Sequence, residues 1–138
     1  MADGTGTKLA GRANYQVGEY LFKMNGSAAS THNLEVGDSG KTYIIDSTVA
    51  RTINLPSPSA GVSYKFIMSD TTADSSIVAT AAIIKGGIHA GNSYLTLAGT
   101  TIVCELAGAV GDCLSFVSDG TNWYVNGQSA HAAGFSVS

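Results

Sequence analysis

The chain has 138 residues, with ten acidic and seven basic side chains for a net charge of −3, which is the size of one domain with a single two-layer core. Its lysines and arginines form no cluster, so the electrostatic footprint of a nucleic-acid or anionic-membrane binder is missing. Charged residues are only 12% against the usual ~25%, and sixteen Ser, thirteen Thr and seventeen Gly are expected to cover the surface of a turn-rich β structure instead.

Residues 1–14 hold no large apolar side chain except Met1 and Leu9, and they carry Lys8 and Arg12; they read as an extended N-terminal arm. Met1 is followed by Ala2, Asp3 and Gly4 rather than by a basic and then an apolar stretch, so no secretory signal is expected and synthesis in a cytoplasm follows. From Tyr15 the pattern turns to period two, with Tyr20, Phe22 and Met24 alternating with Leu21 and Lys23, as a half-buried strand requires. His32–Val36 and Lys41–Asp46 flank Gly37-Asp38-Ser39-Gly40, which predicts a hairpin. Val49, Arg51, Ile53 and Leu55 share one side of the next strand, and the prolines at 56 and 58 end it.

Val62, Tyr64, Phe66 and Met68 alternate with Ser63, Lys65 and Ser69 in the cleanest amphipathic strand of the chain. Further strands are predicted over 77–85, 93–97, 100–106, 112–117 and 122–125, each gap carrying turn residues. No window has helical periodicity, and the longest apolar run, Ile77–Ile84, is far short of a membrane span. The fold expected is an all-β sandwich, jelly-roll-like, of about eight to ten short antiparallel strands over residues 15–126, with a Gly/Ser/Ala-rich tail at 127–138.

The search for chemistry is negative. Gly37-Asp38-Ser39-Gly40 is like the sequence around the nucleophile of chymotrypsin-like proteases, but only His32 precedes it and a turn explains it better. His32, His89 and His131 lie apart from one another and from both cysteines, so no zinc spacing occurs and no metal or cofactor is expected. Asp70 with Asp74, and Asp112 with Asp119, read as turn caps rather than calcium ligands. Cys104 and Cys113 lie about equally far from Gly108-Ala109; a hairpin there would set them opposite each other, as reduced thiols or, less in keeping with the missing signal, as a disulfide. Trp123, Tyr124, Tyr64 and Tyr94 could build a sugar-stacking platform, yet on alternating strands they read first as core.

Two segments resemble a known group. The run from Thr52 to Ile67 (TINLPSPSAGVSYKFI) looks like the strand, LP-x-x-x-x-G loop and strand of small β-sandwich virion proteins of tailed phages and related viruses, and Gly111 to Val125 (GDCLSFVSDGTNWYV) resembles their closing hairpin. Those modules serve as capsid decoration or cement proteins and as knobs of fibres and spikes, commonly as trimers. The resemblance implies a non-enzymatic virion protein: a homotrimer on the outer capsid surface, with the major capsid protein as partner. Phe66, Phe116 and Trp123 would be core or trimer-axis residues, and Lys8, Leu9 and Arg12 would lie in a capsid-contacting arm. The alternative is a receptor- or glycan-binding knob, disfavoured because Met1 leads almost directly into the domain with no shaft.

Overall fold

The computed structural model describes residues 21–24 and 28–138, so the arm at 1–14, with Lys8, Leu9 and Arg12, lies outside the described residues. Among those described, two sheets face one another and enclose the core, and the only helix is a single 3-10 turn at Val36–Asp38. The all-β sandwich is therefore present. Its strands are not all antiparallel: five of the ten strand pairings are parallel.

The first half of the chain explains the difference. It makes three circuits, each placing one strand in each sheet: β1 (Leu21–Met24) then β2 (Ser30–Asn33), β3 (Thr42–Asp46) then β4 (Arg51–Leu55), and β5 (Ser63–Asp70) then β6 (Ser75–Ala79). Each circuit lies parallel on the last. Leu21 pairs with Thr42 and Thr42 with Lys65, while Ser30 pairs with Arg51 and Thr52 with Ser76. A faint repeat underlies this stacking: Thr31-His32-Asn33-Leu34 is matched 21 residues later by Thr52-Ile53-Asn54-Leu55, and the two tetrapeptides lie in register. Stacked circuits of about twenty residues are how solenoids bury a continuous core.

The hairpin expected at Gly37–Gly40 is consequently absent, because β2 and β3 belong to different sheets. The 3-10 turn at Val36–Asp38, with Ser39 N donating to Val36 O and a positive φ at Gly40, carries the chain from one sheet to the other.

The second half closes the sandwich by other means. Its strands are β7 (Ile84–Ala90), β8 (Ser93–Gly99), β9 (Thr101–Cys104), β10 (Cys113–Ser118), β11 (Trp123–Ser129) and β12 (Phe135–Val137). The sheet orders are β1-β3-β5-β10-β11-β7-β8 and β12-β9-β6-β4-β2. The strand expected over 77–85 is two strands in opposite sheets, since the turn at Thr80-Ala81 sends the chain across the core. Cys104 and Cys113 likewise lie in different sheets, not opposite each other on a hairpin, and both are free thiols. The expected tail at 127–138 belongs to the fold: β11 runs on to Ser129, and β12 pairs with β9 and buries Phe135 to 4% exposure.

The core is aromatic at its centre. Across β3, β5, β10 and β11, ring centroids are separated by 5.6 Å for Tyr43–Phe66, 5.5 Å for Phe66–Phe116 and 5.7 Å for Tyr64–Trp123. Such pairs contribute roughly 0.5–1.5 kcal/mol each beyond their area burial. Phe66, Phe116 and Trp123 are all buried within the single chain. The Tyr64 hydroxyl donates to Glu35 O at 2.6 Å, tying the 3-10 turn to this cluster.

Candidate functional surface

The residues singled out for chemistry are occupied with structure. Asp38 accepts from Lys41 Nζ at 2.5 Å and from Glu35 N at 2.9 Å, and these bonds, the lysine's foremost, hold its carboxyl below the ordinary carboxylate range. Ser39 Oγ accepts from Ser63 N, and His32 is hydrogen-bonded to Ser30 Oγ. Among the described residues no three His, Cys, Asp or Glu side chains converge to hold a metal ion, and no helix is long and apolar enough to cross a membrane.

Asp70 and Asp119 cap their own turns, as their spacing predicts, whereas Asp74 reaches a distant turn. Asp70 accepts from Thr72 N, Asp74 from Leu106 N, and Asp119 from Thr121 N and Asn122 N. The bonds from Asn122 and Thr121 also lower the Asp119 pKa. Asp112 does more. It is buried, and it accepts from Ala109 N at 2.9 Å, Ser129 Oγ at 2.6 Å and Ala130 N at 2.9 Å, joining the β9–β10 turn to the end of β11.

Arg51 takes the inward side of β4 with Ile53 and Leu55, as its spacing predicts, and is only 1% exposed. Its guanidinium is satisfied at the end of the sandwich, where Nε donates to Asp46 O and Nη1 to Ser30 Oγ. Cys104 is buried, and loss of solvation pushes its thiol up to about 12, with the charges of Glu105, Asp112 and Asp74 adding to the effect. Burial likewise raises Tyr43 and Tyr64 to about 12, assisted by Asp38.

The sandwich presents two outer faces. On the five-stranded sheet the outward rows read Thr31, Thr52, Ser76, Val103, Ser136 and Asn33, Asn54, Val78, Thr101. No formal charge stands in either row, and Asn54 Nδ2 donates to Asn33 Oδ1 within it. Such rows are inexpensive to dehydrate compared with charged ones; the carboxylate beside them, Glu105, accepts from Ser136 Oγ.

The outer face of the seven-stranded sheet differs. Its register aligns Cys113, Gln128, His89 and Tyr94 in one row, Ser115, Asn126, Gly87 and Thr96 in the next, and Val117, Tyr124, Lys85 and Ala98 in the third. Of the four aromatics considered for a platform, Trp123 and Tyr64 are core, whereas Tyr94 and Tyr124 stand on this face, 58% and 39% exposed. Trp123 and Tyr124 are neighbours on one strand, so the pleat sends them to opposite sides. Sequence spacing does not bring Gly87, His89, Asn126 and Gln128 together, because their convergence depends on β7 lying parallel to β11.

The two adjacent glycines of β7 serve different ends. Gly86 has φ +110°, and a Cβ there would stand 2.2 Å from Val125 O. Gly87 has no such backbone constraint, but a Cβ would stand 2.1 Å from Tyr94 Oη. The tyrosine ring thus reaches across a glycine floor, with its centroid 4.9 Å from that of the His89 ring and the two planes inclined at 69°. Compared with known protein families, curated proteins and solved structures, the chain matches none.

Proposed function

We propose that the chain is a capsid decoration protein, a non-enzymatic virion component that binds the outer surface of a phage capsid lattice as a homotrimer and stabilises the particle. The observation that carries this reading is how the two segments resembling such modules sit together. Although distant in sequence, Thr52–Ile67 and Gly111–Val125 supply the contiguous strands β5, β10 and β11, with Leu114 opposite Phe66 and Phe116 opposite Tyr64. Their turns are laced as well: Gly61 N donates to Ser118 O, and Ser118 N to Val62 O. The resemblance therefore rests on one structural unit rather than on two unrelated strings.

The outward rows of the five-stranded sheet suit attachment, since they hold no formal charge and the Glu105 carboxylate at their margin is already bonded to the Ser136 hydroxyl. Lys8, Leu9 and Arg12 would extend the contact as an arm, because fourteen extended residues span up to roughly 45 Å. Multivalent trimers would then hold firmly with a modest interface per subunit. Cryo-electron microscopy of the particle tests the reading: density repeated over the lattice at joints between major capsid proteins is expected, and density only at a vertex or tail tip would reject it. Removing residues 1–14 is expected to weaken capsid binding.

A further inference from the structure

We infer that the outer face of the seven-stranded sheet, over β10, β11, β7 and β8, is a binding platform for a short neutral oligosaccharide, with Tyr94 as its anchor. The site is distinct from the uncharged face assigned to the capsid and does not rest on that assignment.

Three observations choose the ligand. First, the Tyr94 ring is held in place while remaining 58% exposed: Gly87 gives its hydroxyl end a floor, and His89 flanks it edge-on. A fixed, half-solvated ring offers an apolar face with a polar tip, the combination that receives the C–H face of a pyranose beside its hydroxyls. Second, the polar side chains around it, Asn126, Gln128, Thr96 and Ser115, are all exposed and each can both donate and accept. Sugar hydroxyls have the same dual character, whereas an anion calls for donors alone. Third, Lys85 is the only formal charge in the three rows across these four strands, with the Asp119 carboxylate beside the Tyr124 hydroxyl at their margin and Lys65 next to Ser115 on the adjoining β5.

That charge pattern disfavours the other ligand of aromatic sheet faces, a single-stranded nucleic acid, which needs a positively charged groove along its backbone. Lys85 and Lys65, with the Asp119 carboxylate beside Tyr124 and a net charge of −3, do not provide it. A second exposed ring, Tyr124, borders a shallow hollow of about 230 Å³ beside Val117 and Asn126, two strands across and four residues along the register from Tyr94.

The test is affinity electrophoresis of the full chain through gels containing dextran, mannan, galactomannan or chitohexaose, with polygalacturonate and poly-dT as charged controls. Retardation by at least one of the four neutral glycans is expected, weakened at least tenfold by Tyr94→Ala. Gly87→Ala is the sharper variant, because it keeps both tyrosines and a permitted backbone while displacing the Tyr94 ring; it is expected to weaken binding similarly with unchanged thermal melting. No retardation by any neutral glycan, retardation only by polygalacturonate or poly-dT, or neutral-glycan binding that either variant leaves intact would each overturn the inference.

Discussion

The two halves of the molecule meet the same requirement, a hydrogen-bonding neighbour for every strand edge inside a sheet, in different ways. In the coiled half, β1 to β6, the neighbour is the corresponding stretch one circuit earlier or later, and identical inward positions stack. In the closing half, β7 to β12, neighbours are drawn from hairpins, crossovers and a final strand that returns to β9. The glycines record the contrast. A Cβ on Gly37, Gly40 or Gly61 would meet nothing within 4 Å, as is also true of the turn glycine Gly111 in the closing half, whereas on Gly86, Gly127 or Gly134 it would come within 2.2, 2.6 or 1.9 Å of another atom. Stacking tolerates loose turns; closure depends on backbones that approach closely.

The comparison breaks if alanine is tolerated equally in both halves. Gly86→Ala is expected to cost about 3 kcal/mol or more, since backbone strain and a collision with Val125 O coincide. Gly37→Ala, with open space and an ordinary φ, is expected to stay within about 0.5 kcal/mol of the parent. Urea denaturation of the pair decides it. Asp112→Ala, which strands the Ala109 and Ala130 amides and the Ser129 hydroxyl, is expected to cost about 2 kcal/mol. Faster hydrogen exchange at Ala109 and Ala130 would locate the damage in the closing half.

A smaller effect appears in alkali. The Cys104 thiol stays protonated in the folded chain up to about 12 but titrates near its ordinary value of 9.0 when unfolded, so its contribution to stability is complete below pH 9 and is lost as pH rises toward 12. Tyr43 and Tyr64 act in the same sense, between 10.0 and about 12. Melting followed from pH 8 to 11 is expected to fall less steeply in Cys104→Ala than in the parent. The smallest effect belongs to the coiled half. Asp38, whose carboxyl is lowered by its bond to Lys41, contributes above the usual carboxylate range and loses that contribution as pH falls through its folded pKa. Asp38→Asn is expected to cost under about 1 kcal/mol at neutral pH, an exposed pair's usual worth, and nothing in acid.

Much of this architecture can be read from residues, but not its direction. Val62, Tyr64, Phe66 and Met68 are all buried, as alternation predicts. Alternation is the same for parallel and antiparallel partners, however, so it cannot tell a hairpin from a circuit. The distinguishing signal was the recurrence of Thr-x-Asn-Leu 21 residues apart, a repeat too weak to stand out among so many Thr and Asn. The platform was half legible. Neighbouring residues such as Trp123 and Tyr124 must face opposite ways, but bringing Tyr94 over Gly87 requires the β7–β8 register, which no local pattern states.

Stacked circuits also constrain how such a molecule can change size. A single inserted residue in β3 or β4 would turn its inward side chains outward, and a single extra strand would leave one sheet longer than the other. A whole circuit of some 21 to 24 residues, by contrast, adds one strand to each sheet at once and leaves the cross-section unchanged. The first half can therefore lengthen or shorten only in units of one circuit, while the second half, where Gly86, Gly127 and Gly134 are fitted to particular neighbours, travels as a fixed end.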